Sequence, residues 1–272
     1  MRYRLVICCL GVLGLLPVMT HAQSYKKNPV LGEVIAYRTV DLISHAKESK
    51  YLRQTKIANN IWSTKLPGSS QTLYKGDRGA RAGQFCSIWM FESIEKRDYY
   101  FPLVNEGDKH GTGIEEFLAV VALVNKRIGN VNYTYVPDEF KETGVYTDYF
   151  VLGYDQLENP MRGGLIAIRE VDVKSGMEAD YEEFCQNTIV PTWQKQLPGM
   201  EIYILKGDRG LRKGKYAQLM SFESVEKRDY YFPLPDSVNV EIVDEYNEVF
   251  EKTNANTYLN ETPSYTDYFR VN

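Results

Sequence analysis

The chain has 272 residues, 43% hydrophobic and 25% charged, with a formal net charge of -4 at pH 7. That balance is ordinary for a globular protein with a sizeable core. The absence of any long basic run excludes the electrostatic footprint of a nucleic-acid binder.

Arg2 and Arg4 form a short basic head, residues 5–19 an apolar run, and Thr20-His21-Ala22 ends on a small residue before polar Gln23. This pattern reads as an export signal cleaved after Ala22, so residues 1–22 are set aside from the fold. A retained membrane helix is the poorer reading, because the run is short and holds Pro17. Cys8 and Cys9 stand too early in it for a lipid-attachment box. The mature protein is therefore expected to be periplasmic or extracellular and to have no membrane span. Cys86 and Cys185 remain, one in a predicted strand and the other in a predicted helix of the opposite half, and read as buried free thiols rather than a disulfide.

Residues 91–103 read F-E-S-I-E-K-R-D-Y-Y-F-P-L and residues 222–234 repeat them with one Ile-to-Val change, at an offset of 131 (222 minus 91). The chain is an internal duplication. Residues 23–154 form one unit, 155–164 a linker and 165–272 a second unit. Without a gap, residues 32–103 align with 163–234. Identities cluster at Arg38 and Val40-Asp41 with Arg169 and Val171-Asp172, at Trp62 and Leu66-Pro67-Gly68 with Trp193 and Leu197-Pro198-Gly199, and at the two K-G-D-R-G-x-R-x-G stretches starting at Lys75 and Lys206.

In chain order, the β-branched segments 34–42 and 165–173 predict a first strand. Ser44 and Ser175 are candidate helix caps, and the spacing of Tyr181, Phe184, Thr188 and Ile189 predicts an amphipathic helix that Pro191 bends or restarts. Leu-Pro-Gly stops it. Strand two is expected over 71–75 and 201–206, strand three over 84–91 and 215–222, with K-G-D-R-G as the connecting turn. Ser93 and Ser224 cap a short helix that Pro102 and Pro233 close. The first half inserts residues 105–113 before a helix over 114–128, whereas the second, 12 residues shorter, runs through 240–250. Tyr146-Thr147-Asp148-Tyr149-Phe150 and Tyr265-Thr266-Asp267-Tyr268-Phe269 predict a fourth strand. The fold class is thus α+β, two tandem ferredoxin-like βαββαβ units packed face to face as an intramolecular barrel.

This order, with L-P-G before strand two and F-E-S-x-E closing strand three, resembles the dimeric α/β-barrel superfamily, which includes antibiotic-biosynthesis-type and heme-degrading monooxygenases. The resemblance implies a pocket between each sheet and its own helices. The heme-degrading branch uses a strand-one Asn, a Trp ending strand three and a His some ten residues on. Arg38 and Arg169, Phe91 and Phe222, and Phe101 and Phe232 stand at or near those positions, so that triad is not kept. His45 and His110 have no ligand partners at metal spacing, and neither a metal nor another cofactor is expected.

Period-two alternation places Phe85, Ser87, Trp89 and Phe91 on one face of strand three, and Tyr216, Gln218, Met220 and Phe222 on the equivalent face. Large aromatics mixed with isolated polar atoms suit a ligand pocket, although a packed core with satisfied polar groups accounts for them as well. Arg38 and Arg169 need an anion, which Asp41, Glu170 or a ligand could supply. The candidate ligand-binding residues are therefore Arg38, Phe85, Trp89, Phe91 and Phe101 in the first half, and Arg169, Tyr216, Met220, Phe222 and Phe232 in the second. The K-G-D-R-G turn reads as solvated charge rather than an anion cradle, and E-K-R-D as a salt-bridged helix face. An exported binding protein for a small hydrophobic or aromatic acid is the leading expectation. The alternatives are a cofactor-independent monooxygenase-like enzyme, which the resemblance implies, and a structural or interaction module.

Overall fold

The structure, a computed structural model, describes residues 32–42, 48–103, 114–129, 140–154, 164–233, 241–260 and 264–271. The export signal, the Ser44 cap, His45, His110, the 105–113 insertion and most of the linker lie outside the described residues. The first half runs β1 (Val34–Leu42), α1 (Glu48–Lys65), β2 (Ser69–Gly79), β3 (Phe85–Phe91), α2 (Ile94–Tyr100), α3 (Glu115–Ile128) and β4 (Phe140–Val151). The second runs β5 (Leu165–Val171), α4 (Glu178–Phe184), a π turn (Cys185–Ile189), α5 (Val190–Gln196), β6 (Met200–Gly210), β7 (Tyr216–Phe222), α6 (Val225–Tyr231), a 3₁₀ turn (Asp244–Tyr246), α7 (Asn247–Lys252) and β8 (Tyr265–Arg270).

The eight strands close into one barrel in the order β1-β3-β2-β8-β5-β7-β6-β4, with helices outside, in a mixed α+β fold. Every neighbouring pair is antiparallel. The strands of the two halves pair through β2·β8 and β4·β6, and closure leaves no strand edge unpaired. Alternate side chains therefore serve different cores. Ile35, Tyr37, Tyr74, Ile88, Tyr149, Ile166, Tyr203, Leu219 and Tyr268 fill the barrel from both halves. Val34, Ala36, Trp89 and Phe91 face the helices of the first half, and Leu165, Ala167, Met220 and Phe222 those of the second. Cys86 lies in the barrel and Cys185 under the second half's helices, both buried and unbridged.

Local signals place several ends. Ser93 Oγ and Ser224 Oγ accept from the backbone N–H of Lys96 and Lys227 at 3.2 Å, as an N-cap should. Tyr100 and Tyr231 donate to the carbonyls of Pro67 and Pro198 at 3.0 and 2.9 Å, tying each Leu-Pro-Gly corner to its short helix. The expected Ser175 cap is not used. The helix starts at Glu178 after Gly176 takes φ 85°, and Met177 occupies the cap position without a side-chain bond. Pro191 lies in the first turn of α5, directly after the π turn, where its missing N–H is accommodated. The helix expected over 240–250 begins later, at Asn247.

The largest departure from the sequence reading is the K-G-D-R-G stretch. It is not a solvated turn but the end of β2 or β6, and the turn proper follows at 80–84 and 211–215. Here each strand crosses to the other half, and each crossing carries a bulge. The register shifts between Gly76 and Arg78 against β8, and between Asp148 and Tyr149 against Arg209 and Gly207. A bulge sets two consecutive residues against one, which lets both Asp77 and Arg78, or Asp208 and Arg209, join the same ion network. The glycine that follows is sterically required. Gly79 has φ +87°, and a Cβ there would stand 2.1 Å from the carbonyl oxygen of Tyr265. Gly210, at φ +88°, would meet the carbonyl of Tyr146 at 2.2 Å.

Candidate functional site

Four arginines are retained as pairs across the duplication: Arg38/Arg169, Arg78/Arg209, Arg81/Arg212 and Arg97/Arg228. Three of these pairs are neutralised by carboxylates. Arg97 bonds Asp148 at 3.0 Å and reaches Asp208 of the other half at 2.7 Å, while Arg209 bonds Asp98 at 2.6 Å and the carbonyl of Phe101 at 2.7 Å. The mirror network joins Arg228 to Asp267 at 2.9 Å and to Asp77 at 2.7 Å, and Arg78 to Asp229 and the carbonyl of Phe232. Arg81 and Arg212 hold Asp41 and Asp172 at 2.7 and 3.0 Å. The repeated E-K-R-D is therefore not merely a solvent-facing charged helix: its Arg is buried in both halves and bolts them together. Sequence reasoning missed this seam, although K-G-D-R-G, E-K-R-D and T-D-Y-F all being retained in both halves was a signal for it.

Arg38 and Arg169 are the exception. Asp41 and Glu170, the counter-ions that the sequence offered, are engaged by Arg81 and Arg212 instead. Among the described residues neither Arg38 nor Arg169 makes an ion pair, and the Nε of each is shut off from solvent without an acceptor. The Arg38 guanidinium stacks 4.7 Å from the centre of the Tyr146 ring. Burial and the neighbouring Asp148 push Tyr146 well above the usual phenol range, so it stays neutral. Burial pulls Arg169 below the ordinary arginine value, the direction expected of a desolvated cation.

The two layers between sheet and helices then differ. In the first half Arg38 stands opposite Ser87 and Tyr146 on the helix-facing side. Trp89, Phe91 and Phe101 form one aromatic cluster on that side with Trp62 and Phe117. Trp89 lies 5.2 Å from Trp62 and 6.3 Å from Phe117, and Phe91 lies 5.9 Å from Phe101. Phe85 is set apart, packed on Tyr51 with Val40 and Leu73. The same layer holds further buried polar atoms without partners: Trp89 Nε1, Gln54 Oε1 and both amide atoms of Asn125. In the second half Tyr216, Met220, Phe222 and Phe232 share one apolar cluster, and Arg169 stands opposite Gln218 and Tyr265. Polar atoms there are better satisfied: Trp193 donates to Thr253 at 3.0 Å and Gln218 to Tyr181 at 3.3 Å. Each buried polar group left unpaired costs about 1–3 kcal/mol. The first half therefore carries several unmet hydrogen bonds in one aromatic layer, the composition of a ligand site.

Architecture and site together define an α/β barrel of the dimeric type whose two helix layers differ in aromatic and polar content. No family model and no curated protein sequence matches the chain. Solved structures do match in fold. A candidate monooxygenase from Fusobacterium nucleatum superposes with a TM-score of 0.51 at 9% identity, covering 89% of this chain and 94% of that one. A candidate chlorite dismutase gives 0.50 at 9% identity over 88% and 94%, and a heme-binding protein from Thermus thermophilus 0.50 at 8% over 88% and 91%. These likenesses establish the fold. His45 and His110 lie outside the described residues, and in the first half Trp62 and Phe117 pack on the sheet around Trp89. No group of His, Cys, Asp and Glu among the described residues is arranged to hold a metal ion, and no described helix is long and apolar enough to cross a membrane.

Proposed function

We propose that the chain is a pair of ferredoxin-like units fused into a pseudo-dimer, and that the helix layer of its first half binds a small hydrophobic or aromatic acid. One observation carries this reading: of the four arginine pairs kept through the duplication, Arg38/Arg169 is the pair with no carboxylate among the described residues. A structural arginine would be expected to acquire one, because a desolvated, unpaired cation is costly. A ligand carboxylate or phenolate would supply the missing acceptor, and Trp89, Phe91 and Phe101 the apolar wall. The first half is the better site, because Trp89, Ser87 and Gln71 stand where the second half has Met220, Gln218 and Ile202. Export is part of the proposal. Its support is the amino-terminal pattern, and an intact mass beginning at Gln23 in an extracytoplasmic fraction would verify it.

A second reading is catalytic. The fold match to a monooxygenase candidate favours oxygenation of a bound electron-rich phenol by dioxygen without a resident cofactor, one oxygen atom entering the ring and the other leaving as water with two electrons and two protons from the substrate, which becomes a quinone. Both readings require Arg38. The test is a tryptophan-fluorescence titration with benzoate, salicylate and naphthol, comparing the parent with Arg38→Ala and Trp89→Phe. Losing a charge-assisted hydrogen bond should weaken binding by about 1.5–3 kcal/mol, on the order of tenfold to a hundredfold. Oxygen uptake with naphthol would select the catalytic reading. If no probe binds, or if both variants fold and bind as the parent does, the site is wrong.

A further inference from the structure

A cleft of 330 Å³ opens at one end of the barrel, between the two hairpins that follow β2 and β6. It is separate from the helix layers, and its size falls at the lower end of small-molecule sites, about 300–1,000 Å³. Because β1 and β5, and likewise β2 and β6, occupy equivalent places four strands apart around the barrel, repeat-related residues line its two sides. Only one such pair is identical. Arg81 faces Arg212, but Thr39 stands where the other half has Glu170, Tyr37 where it has Ile168, and Ala80 where it has Leu211. The site has lost the symmetry of the duplication, which suits one asymmetric ligand rather than two identical ones.

The hydrogen-bonding state of the two arginines narrows the chemistry. Each spends an Nη on a carboxylate, Arg81 on Asp41 at 2.7 Å and Arg212 on Asp172 at 3.0 Å, and each keeps a buried Nε–H with no acceptor. The cations Arg81, Arg212 and Lys215 are matched in number by Asp41, Glu170 and Asp172. A dianion would therefore have to break existing pairs, whereas a single carboxylate can accept from the Nη1 groups of the two arginines, which make no hydrogen bond among the described residues. The remaining lining is hydroxylic and acidic, with Thr39, Ser264 and Thr266 beside Glu170 and Asp172. These groups pair with hydroxyls. Leu211, 70% exposed, forms an apolar lip.

We infer that the barrel mouth is a binding site for a small hydroxylated carboxylate of the sugar-acid type, with the carboxylate between Arg81 and Arg212 and the hydroxyls toward Glu170 and Asp172. The inference does not depend on the helix-layer site. The experiment is titration calorimetry of the full chain with glucuronate, alongside glucose and succinate as probes lacking the carboxylate or the hydroxyls. Glucuronate should bind at least tenfold more tightly than either. Arg81→Gln should weaken it at least tenfold. Ala80→Trp, which fills the cleft from an exposed turn position without touching an ion pair, should abolish binding while leaving the melting temperature of the parent. Arg38→Ala should leave it unchanged. No glucuronate binding at millimolar concentration, equal binding of glucose or succinate, or undiminished binding by a folded Ala80→Trp variant would each overturn the assignment.

Discussion

Replacing Arg228 with alanine tests whether the inter-half seam holds the barrel together. Arg228 is 3% exposed and faces Asp267, which is fully buried, at 2.9 Å, with Asp77 of the other half at 2.7 Å. Removing one partner of a buried ion pair costs about 3–5 kcal/mol, because the charge left behind remains desolvated. Arg78 Nε stands 3.4 Å from the same Asp267 oxygen and offsets part of that loss, so the lower end applies. A loss of about 3 kcal/mol is a large share of a typical total of about 5–15 kcal/mol. In a chain of this size it should lower Tm by about 6–12 °C. The pH dependence sharpens the test. Burial holds the Asp267 carboxyl above the ordinary range while Tyr265, Arg228 and Arg78 pull it down, so deleting Arg228 must raise it further. An acid whose pKa is raised by folding favours the folded state at low pH and loses that contribution as pH climbs through its folded value. The stability gap between parent and variant, read from urea unfolding, should therefore narrow on acidification and widen toward neutrality. Adding Asp267→Asn should recover part of the loss at neutral pH. A gap below about 1 kcal/mol that does not vary with pH would show the seam to be no more than a surface ion pair and would refute the reasoning.

Arg169→Met should behave oppositely. With no ion pair to break among the described residues and a desolvated guanidinium removed, it should leave Tm unchanged or raise it, and a loss above about 2 kcal/mol would mean that Arg169 has a structural partner after all. Gly79→Ala should destabilise by several kcal/mol, because the left-handed backbone and the approach to Tyr265 act together, whereas Gly83→Ala, with open space around its Cβ, should cost only the backbone strain of about 1–2 kcal/mol. Thermal melts of the two variants give the comparison. A first half expressed alone, residues 23–154, would expose β2 and β4 edges and the barrel-facing side chains of its strands. It should self-associate in analytical ultracentrifugation, and a stable monomer would contradict the closed pseudo-dimer.

The duplication, the order of strands and helices, and the outward face of β1 and β3 were legible in the sequence because each is a local or periodic property. A thirteen-residue repeat needs no coordinates. The two-residue period of Ala36-Arg38-Val40 and Ser87-Trp89-Phe91 already separates helix-facing from barrel-facing side chains. Serine caps at Ser93 and Ser224 and the Leu-Pro-Gly corners after α1 and α5 are likewise local chemistry.

Partners were not legible. K-G-D-R-G reads as a turn because glycine and charge cluster there, and only barrel closure turns it into strand, bulge and ion seam. Its acceptors are Asp98, Asp229 and Asp267, far away in sequence or in the opposite half. For the same reason the sequence could not say that Asp41 and Glu170 would be taken by Arg81 and Arg212, leaving Arg38 and Arg169 with no ion pair among the described residues. The barrel-mouth cleft was still further from reach, since its walls come from both hairpins and from β1, β5 and the start of β8. Composition and periodicity fix which groups each segment brings and on which face. Only tertiary structure decides which charges meet, because an ion pair is set by a distance of a few ångströms between segments whose separation along the chain carries no information about it.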